Sequence, residues 1–192
     1  MSGVHVLGIS GSPKINGLTN LLLDKALTGA KALGAHTEKI VLNDLNFRPC
    51  QECGGCDKTG ACILDDDMRS VYASLARAGA VIIASPIYFG SITAQLKAMI
   101  DRCNSLWTYK YILKNSSLKK ERLRGLFLCV GGKDSKVYFA NAKDVIKTFF
   151  VTIDAEYSSE LFIRGLNTMP ANSPQRDAAL EKAFQLGINL VG

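Results

Sequence analysis

No stretch of this 192-residue chain offers the roughly 18 consecutive apolar residues that a bilayer-spanning helix needs. Met1–Gly3 forms no charged leader ahead of a long apolar run, so no signal peptide is expected and the cytoplasm is the expected location. Internal repeats and low-complexity tracts are missing, which excludes solenoids and disordered arrays. Histidine is scarce. His5 and His36 each fall at a strand start, far from the cysteines, and neither reads as a ligand or base. Charge of one sign is only mildly in excess, 23 basic against 17 acidic residues, for a net +6. Much of the excess lies in "YKYILKNSSLKKERLR", residues 109–124, a solvated face or a landing patch for anionic phosphates or an acidic partner. No zinc-finger or RNP-type motif accompanies it, so neither nucleic acid nor membrane is an expected partner.

What remains is ordinary globular material, 47% apolar and 21% charged. The length suits one domain, 1–192, able to bury a core without disulfide staples. Short apolar runs alternate with helical patterns. Strands are expected at 4–10, 36–42, 80–86, 125–132 and 156–165, and helices at 18–33, 66–78, 93–106, 142–152 and 173–190. Ser173 is the expected N-cap of the last helix, with Pro174 in its first turn. Five strand–helix alternations define an α/β fold with a doubly wound five-stranded parallel sheet in an α/β/α sandwich. Such folds bind ligands at the carboxyl ends of their strands, where strand order reverses. That points to the loops at 10–19, 85–91 and 131–136.

The first loop, "GISGSPKINGLTN", is rich in glycine and hydroxyls. Its backbone N–H groups, with Ser10, Ser12 and Thr19, can converge on a phosphate at the positive end of the next helix. It is neither a G-x-x-x-x-G-K-[ST] loop nor a G-x-G-x-x-G fingerprint, so a mononucleotide suits it better. The second loop, "SPIYFGS", sets Tyr88 and Phe89 outside any periodic face. Backbone groups there can read the polar edge of a flat ring that the aromatics cover. A plain strand-to-helix turn and a pair of core-capping aromatics are the alternative readings.

Four of the six cysteines crowd into "CQECGGCDKTGAC", at Cys50, Cys53, Cys56 and Cys62, within an insertion at about 47–65. The spacing C-x2-C-x2-C-x5-C lets a tight coil aim three thiolates at one small object. The longer gap, with Gly60 for its turn, brings the fourth from the other side. Gly54 and Gly55 allow close backbone approach to sulfur. An iron–sulfur cluster needs four thiolates so caged. Zinc, two disulfides, or free thiols are the competing readings. Cys103 and Cys129 read as core residues. Trp107, Tyr109 and Tyr111 read as a subunit contact or a lid.

"GISGSPKINGLT" and "ASPIYFGSITAQLKAMIDR" resemble the two FMN-binding signatures of the NADPH-dependent FMN reductase family, which has the flavodoxin-like fold. "CQECGGCDKTGACILDDDM" resembles the cysteine segment of its iron–sulfur flavoprotein branch. The resemblance covers most of residues 4–132. It implies that Ser10, Ser12, Lys14, Asn16 and Thr19, in a loop completed by Pro13 and Gly17, hold the FMN phosphate. It implies that Pro86, Ile87, Tyr88, Phe89, Gly90 and Ser91 hold the ring, that Gly131 and Gly132 line its far side, and that the four cysteines hold a [4Fe-4S] cluster. Where the family often has a polar residue this chain has Leu18, so one phosphate contact is missing or replaced. The implied protein is an FMN-dependent oxidoreductase, a homodimer or homotetramer, that passes electrons between a donor and the flavin without a catalytic side chain. NAD(P)H is a candidate donor and a ferredoxin a candidate redox partner. A cluster-free NAD(P)H-dependent flavin or quinone reductase and a non-enzymatic flavodoxin-like carrier are the alternatives.

Overall fold

The structure, a computed structural model, describes residues 3–115 and 123–192. Residues 116–122 of the basic run at 109–124 therefore lie outside the described residues. The strands are β1 (His5–Ser10), β2 (His36–Val41), β3 (Ala80–Pro86), β4 (Leu123–Val130) and β5 (Ala155–Ile163). They form one parallel sheet in the order β2-β1-β3-β4-β5. Strand β3 lies inside the sheet, covered on both faces, and its residues 80–85 are all buried. A continuous "AVIIAS" run is what a strand buried on both faces requires. The edge strand β2, "HTEKIV", has no fully buried residue.

The helices are α1 (Leu18–Ala32), α2 (Met68–Arg77), α3 (Ala94–Arg102), α4 (Asn104–Trp107), α5 (Lys136–Thr152) and α6 (Pro174–Val191). One face of the sheet packs with α1 and α6 through Leu22, Leu23, Ala26, Ala183 and Leu190. The opposite face packs with α2, α3 and α5 through Val71, Leu96, Met99, Ile146 and Phe150. Helices α1 and α6 touch backbone to backbone. A Cβ at Gly187 would sit 1.9 Å from the Ala26 carbonyl oxygen, and one at Gly29 would sit 2.1 Å from that of Phe184. Only glycine permits this approach, which fixes the two helix N-termini beside each other at the carboxyl edge of the sheet.

Two helix boundaries differ from expectation by four residues or more, and the other bounds by at most two. Helix α5 begins at Lys136 rather than 142. Its first turns hold Val137, Tyr138 and Phe139, which carry little intrinsic helix preference. Burial of Phe139, whose ring lies 5.2 Å from that of Phe162, outweighs the propensity. The helix expected over 93–106 stops at Arg102. The chain bends at Cys103 and continues through α4 into a π-helical turn at Thr108–Ile112. No described helix is long and apolar enough to cross a membrane.

Candidate functional site

Strand order reverses between β1 and β3, and the loops leaving those strands part there. They are tied together locally. The Thr93 side chain, fully buried, caps α3 by accepting from the Leu96 N–H (3.4 Å) and donates to the Gly11 carbonyl (2.7 Å). The Gly11 N–H donates to the Ala84 carbonyl (2.8 Å), and the Thr93 N–H donates to Ser85 Oγ (3.2 Å). One threonine thus holds the loop after β1 against the loop after β3.

Along the first loop, Ser10 is buried and its Oγ accepts from the Ser12 N–H (3.2 Å). Ser12 Oγ accepts from the Lys14 N–H (3.3 Å), and the Lys14 carbonyl accepts from the Gly17 N–H (3.0 Å) and Asn20 Nδ2 (2.9 Å). The N-cap of α1 is Gly17, so no side chain caps the helix, and Asn20 Oδ1 is buried without a partner. An uncapped helix start beside a lysine favours an anion. Leu18 packs in the core between the sheet and helices α1 and α6, and its apolar side chain offers that anion no hydrogen bond.

The second loop is a two-residue hairpin. Tyr88 and Ser91 exchange backbone hydrogen bonds (2.9 and 3.2 Å) around Phe89 (φ +48°) and Gly90 (φ +83°). Positive φ at both central positions is a primed turn, which favours Asn or Gly first. Phe89 there is strained, and its side chain stands fully in solvent. An exposed aromatic in a strained turn adds nothing to the core and costs the fold backbone strain.

The two loops and the glycine turn after β4 enclose a cavity of about 560 Å3. It is lined by Ser12, Lys14, Asn16, Gly17 and Thr19 on one side and by Pro86–Gly90 on another, with Gly131 and Gly132 opposite. Ser10, Pro13 and Ser91 do not line it; Ser10 and Ser91 shape its walls through the bonds above. Beside the apolar Leu18, Val130 and Leu166, four polar residues that were not among the expected site residues line it: Tyr138, Asn167, Arg176 and, within the expected 131–136 loop, Lys133. The Asn167 N–H donates to the Gly132 carbonyl (3.1 Å), which folds the chain after β5 over the glycine turn. Arg176 lies in the first turn of α6, beside the start of α1, and its Nε is buried without a partner. No spacing rule links position 176 to position 14; only the α1–α6 contact does.

The cysteine segment forms a loop pinned at its base. Asp67 accepts from the Asn46 N–H (2.6 Å) and Asp66 from the Arg48 N–H (3.2 Å). Gly54 and Gly60 both adopt φ +70°, and Gly60 turns the chain back after its N–H donates to the Cys56 carbonyl (2.7 Å). Cys50, Cys53, Cys56 and Cys62 all line one cavity of about 560 Å3 against α4 and the π turn. All six cysteines are free thiols, which sets aside the two-disulfide reading for this structure. Among the described residues, no three His, Cys, Asp or Glu side chains meet at ligating distance. Cys103 and Cys129 are buried, and burial pushes the Cys103 thiol up to about 12 and the Cys129 thiol higher still. Trp107 lines the cysteine cavity and not the cavity between the loops, so within one chain it is no lid there.

A parallel sheet in this order, with an anion-favouring loop and an aromatic turn at its switch point, defines a flavodoxin-like, FMN-binding class of protein. The family model for NADPH-dependent FMN reductase matches residues 4–136, and the chain belongs to that family as an FMN-dependent oxidoreductase. It is 31% identical over 189 residues to an iron–sulfur flavoprotein of Methanocaldococcus jannaschii, covering 96% of this chain and 94% of that one. It is 35% identical over 129 residues to an iron–sulfur flavoprotein of Methanosarcina thermophila, covering 67% of this chain and 64%, just under two thirds, of that relative. In fold it is similar to an NAD(P)H:quinone oxidoreductase of Methanothermobacter marburgensis, with a TM-score of 0.78 at 20% identity, covering 99% and 97% of the two chains.

Proposed function

We propose that the cavity between the three loops is the FMN site and that Cys50, Cys53, Cys56 and Cys62 hold a [4Fe-4S] cluster in the second cavity. The protein would then pass electrons between a donor such as NAD(P)H and an acceptor. In that reading the chain is one domain with the cysteine segment as its insertion. The observation that supports it most is the convergence of all three expected loops on one cavity at the switch point. Its volume lies within the range of small-molecule sites. The uncapped start of α1, Lys14 and the orphaned Arg176 Nε suit a phosphate at one end. Backbone groups of the strained turn and the glycine pair suit a flat ring at the other. For the cluster, the donor set fits: four thiols on one cavity, with the Arg102 side chain among them.

Bound in these places, FMN supplies one- or two-electron chemistry and the cluster one-electron chemistry. The chain's own work is to bind and orient. Lys14 and Arg176 neutralise the phosphate, and Arg176 takes the place of the contact that Leu18 does not make. Tyr88 and Phe89 cover the ring and keep water from one face. Lys133 and Asn167 close the far edge.

The test compares FMN with riboflavin, which lacks the phosphate, by fluorescence titration. Arg176→Gln removes one charge-assisted hydrogen bond, worth about 1.5–3 kcal/mol, so FMN binding should weaken roughly 10- to 100-fold with riboflavin unchanged. Ser12→Asp, which sets a carboxylate against the phosphate, should weaken FMN more. Equal losses for both ligands would remove the phosphate assignment. A cluster-free reductase with the same FMN site is the second reading, favoured by the thiols' failure to meet at one point.

A further inference from the structure

Arg102 is the largest fully buried side chain among the described residues. It ends α3, the helix whose N-cap Thr93 ties the two flavin-side loops together. Its Nη1 donates to the Arg48 carbonyl (2.8 Å) and to Asp66 Oδ2 (2.6 Å), and Nη2 donates to Asp66 Oδ1 (3.0 Å). Arg48 and Asp66 bracket the four cysteines in sequence, so one guanidinium closes both ends of the segment. The Nε–H is different. Arg102 Nε is buried and has no acceptor, while the side chain lines the cysteine cavity. A buried N–H without an acceptor is costly, and a native site that keeps one implies a missing partner. Burial works against the charge on Arg102. Asp66, with Tyr72 and Cys62 close by, more than offsets that and holds its pKa above the ordinary value. The cavity offers four cysteine sulfurs as acceptors, beside the side-chain oxygens of Glu52, Asp57, Asn104, Ser105 and Thr108.

We propose that Arg102 is a positioning residue for the cysteine site: it pins the segment through Asp66 and Arg48, and its Nε–H donates to a sulfur of the cavity once that site is filled. The proposal rests on the cluster reading above. Hydrogen bonds to ligand sulfur stabilise the more negative, reduced form of a cluster and raise its potential. Arg102 therefore joins two tasks, holding the loop and setting how readily its cargo accepts an electron.

The test uses wild-type protein, Arg102→Lys and Asp66→Asn, each purified without oxygen. Iron per chain, thermal unfolding and an EPR-monitored redox titration are read on every sample. Arg102→Lys keeps the charge and lacks the Nε–H; its midpoint potential should fall below wild type. Asp66→Asn loosens the loop and keeps the Nε–H; its potential should not fall. Arg102→Lys that takes up no iron, beside Asp66→Asn that is loaded, would also support the role. An unchanged potential in loaded Arg102→Lys would overturn it, as would equal falls in both variants. Equal loss of iron from both would reduce Arg102 to a loop clamp and overturn the donor role. Wild-type protein without iron would overturn the cluster reading together with this one, whereas iron in wild type with no effect of Arg102→Lys overturns this one alone.

Discussion

Thr93→Val replaces a buried hydroxyl with a methyl of the same shape. It removes two bonds at once: the cap on the Leu96 N–H and the donation to the Gly11 carbonyl. Losing a side-chain N-cap costs about 1 kcal/mol. Leaving the buried Gly11 carbonyl without this donor costs about 1–3 kcal/mol more. The sum, roughly 2–4 kcal/mol, lowers Tm by about 4–16 °C for a chain of this size. Thr93→Ser is the control. It keeps both bonds and loses one buried methyl, for about 1 kcal/mol. Differential scanning calorimetry on both variants, followed by FMN titration below each transition, separates stability from site geometry. The valine variant should also bind FMN more weakly, because the loops at 10–17 and 85–91 lose their shared tie. A valine variant as stable as the serine variant would refute the claim that this threonine couples the loops.

Phe89→Gly should stabilise the fold slightly and weaken the site. Relief of a left-handed residue returns about 1–2 kcal/mol, and glycine's extra freedom in the unfolded chain takes back about 0.5–1. FMN affinity should fall roughly 2- to 10-fold as an aromatic contact is lost; unchanged affinity would show that the strain serves something else. Acid should loosen the cysteine segment. Burial raises the Asp66 pKa, but the Arg102 hydrogen bond and the Arg48 and Met68 N–H groups outweigh it, so the folded value lies below the ordinary one. Glu160 is lowered in the same way by Lys143 and Tyr157 against the effect of its burial. Groups depressed on folding contribute fully above their unfolded pKa near 4 and lose that contribution as pH falls through the folded value. Tm should therefore hold from pH 7 to about 5 and drop below about 4, with a shallower drop in Asp66→Asn. A flat acid limb in wild type would contradict the ion-pair account.

The sheet was legible because parallel strands buried on both faces read as unbroken apolar runs, as "AVIIASP" does. The site was legible where it follows such strands directly, at 10–19 and 85–91. It was hidden where tertiary packing recruits distant residues. Arg176 and Asn167 reach the cavity only because Gly29 and Gly187 let α1 and α6 touch, and because the chain after β5 hydrogen-bonds to Gly132. Spacing along the chain carries no trace of either contact. The early start of α5 was hidden for a related reason, since Phe139 pays its poor helix preference through burial. The break at Cys103 follows no helix-stop residue. It comes where Arg102 is held by two partners from the cysteine segment, 36 and 54 positions away.

The proposed function places an FMN site and a four-cysteine cluster in one chain. The ultraviolet–visible spectrum of protein purified without oxygen, with iron assayed on the same sample, tests it most directly. Flavin bands on a broad absorbance that scales with iron and bleaches on reduction are the expected result. Flavin bands with no iron would contradict it and leave a simple FMN-dependent reductase whose crowded thiols serve another purpose.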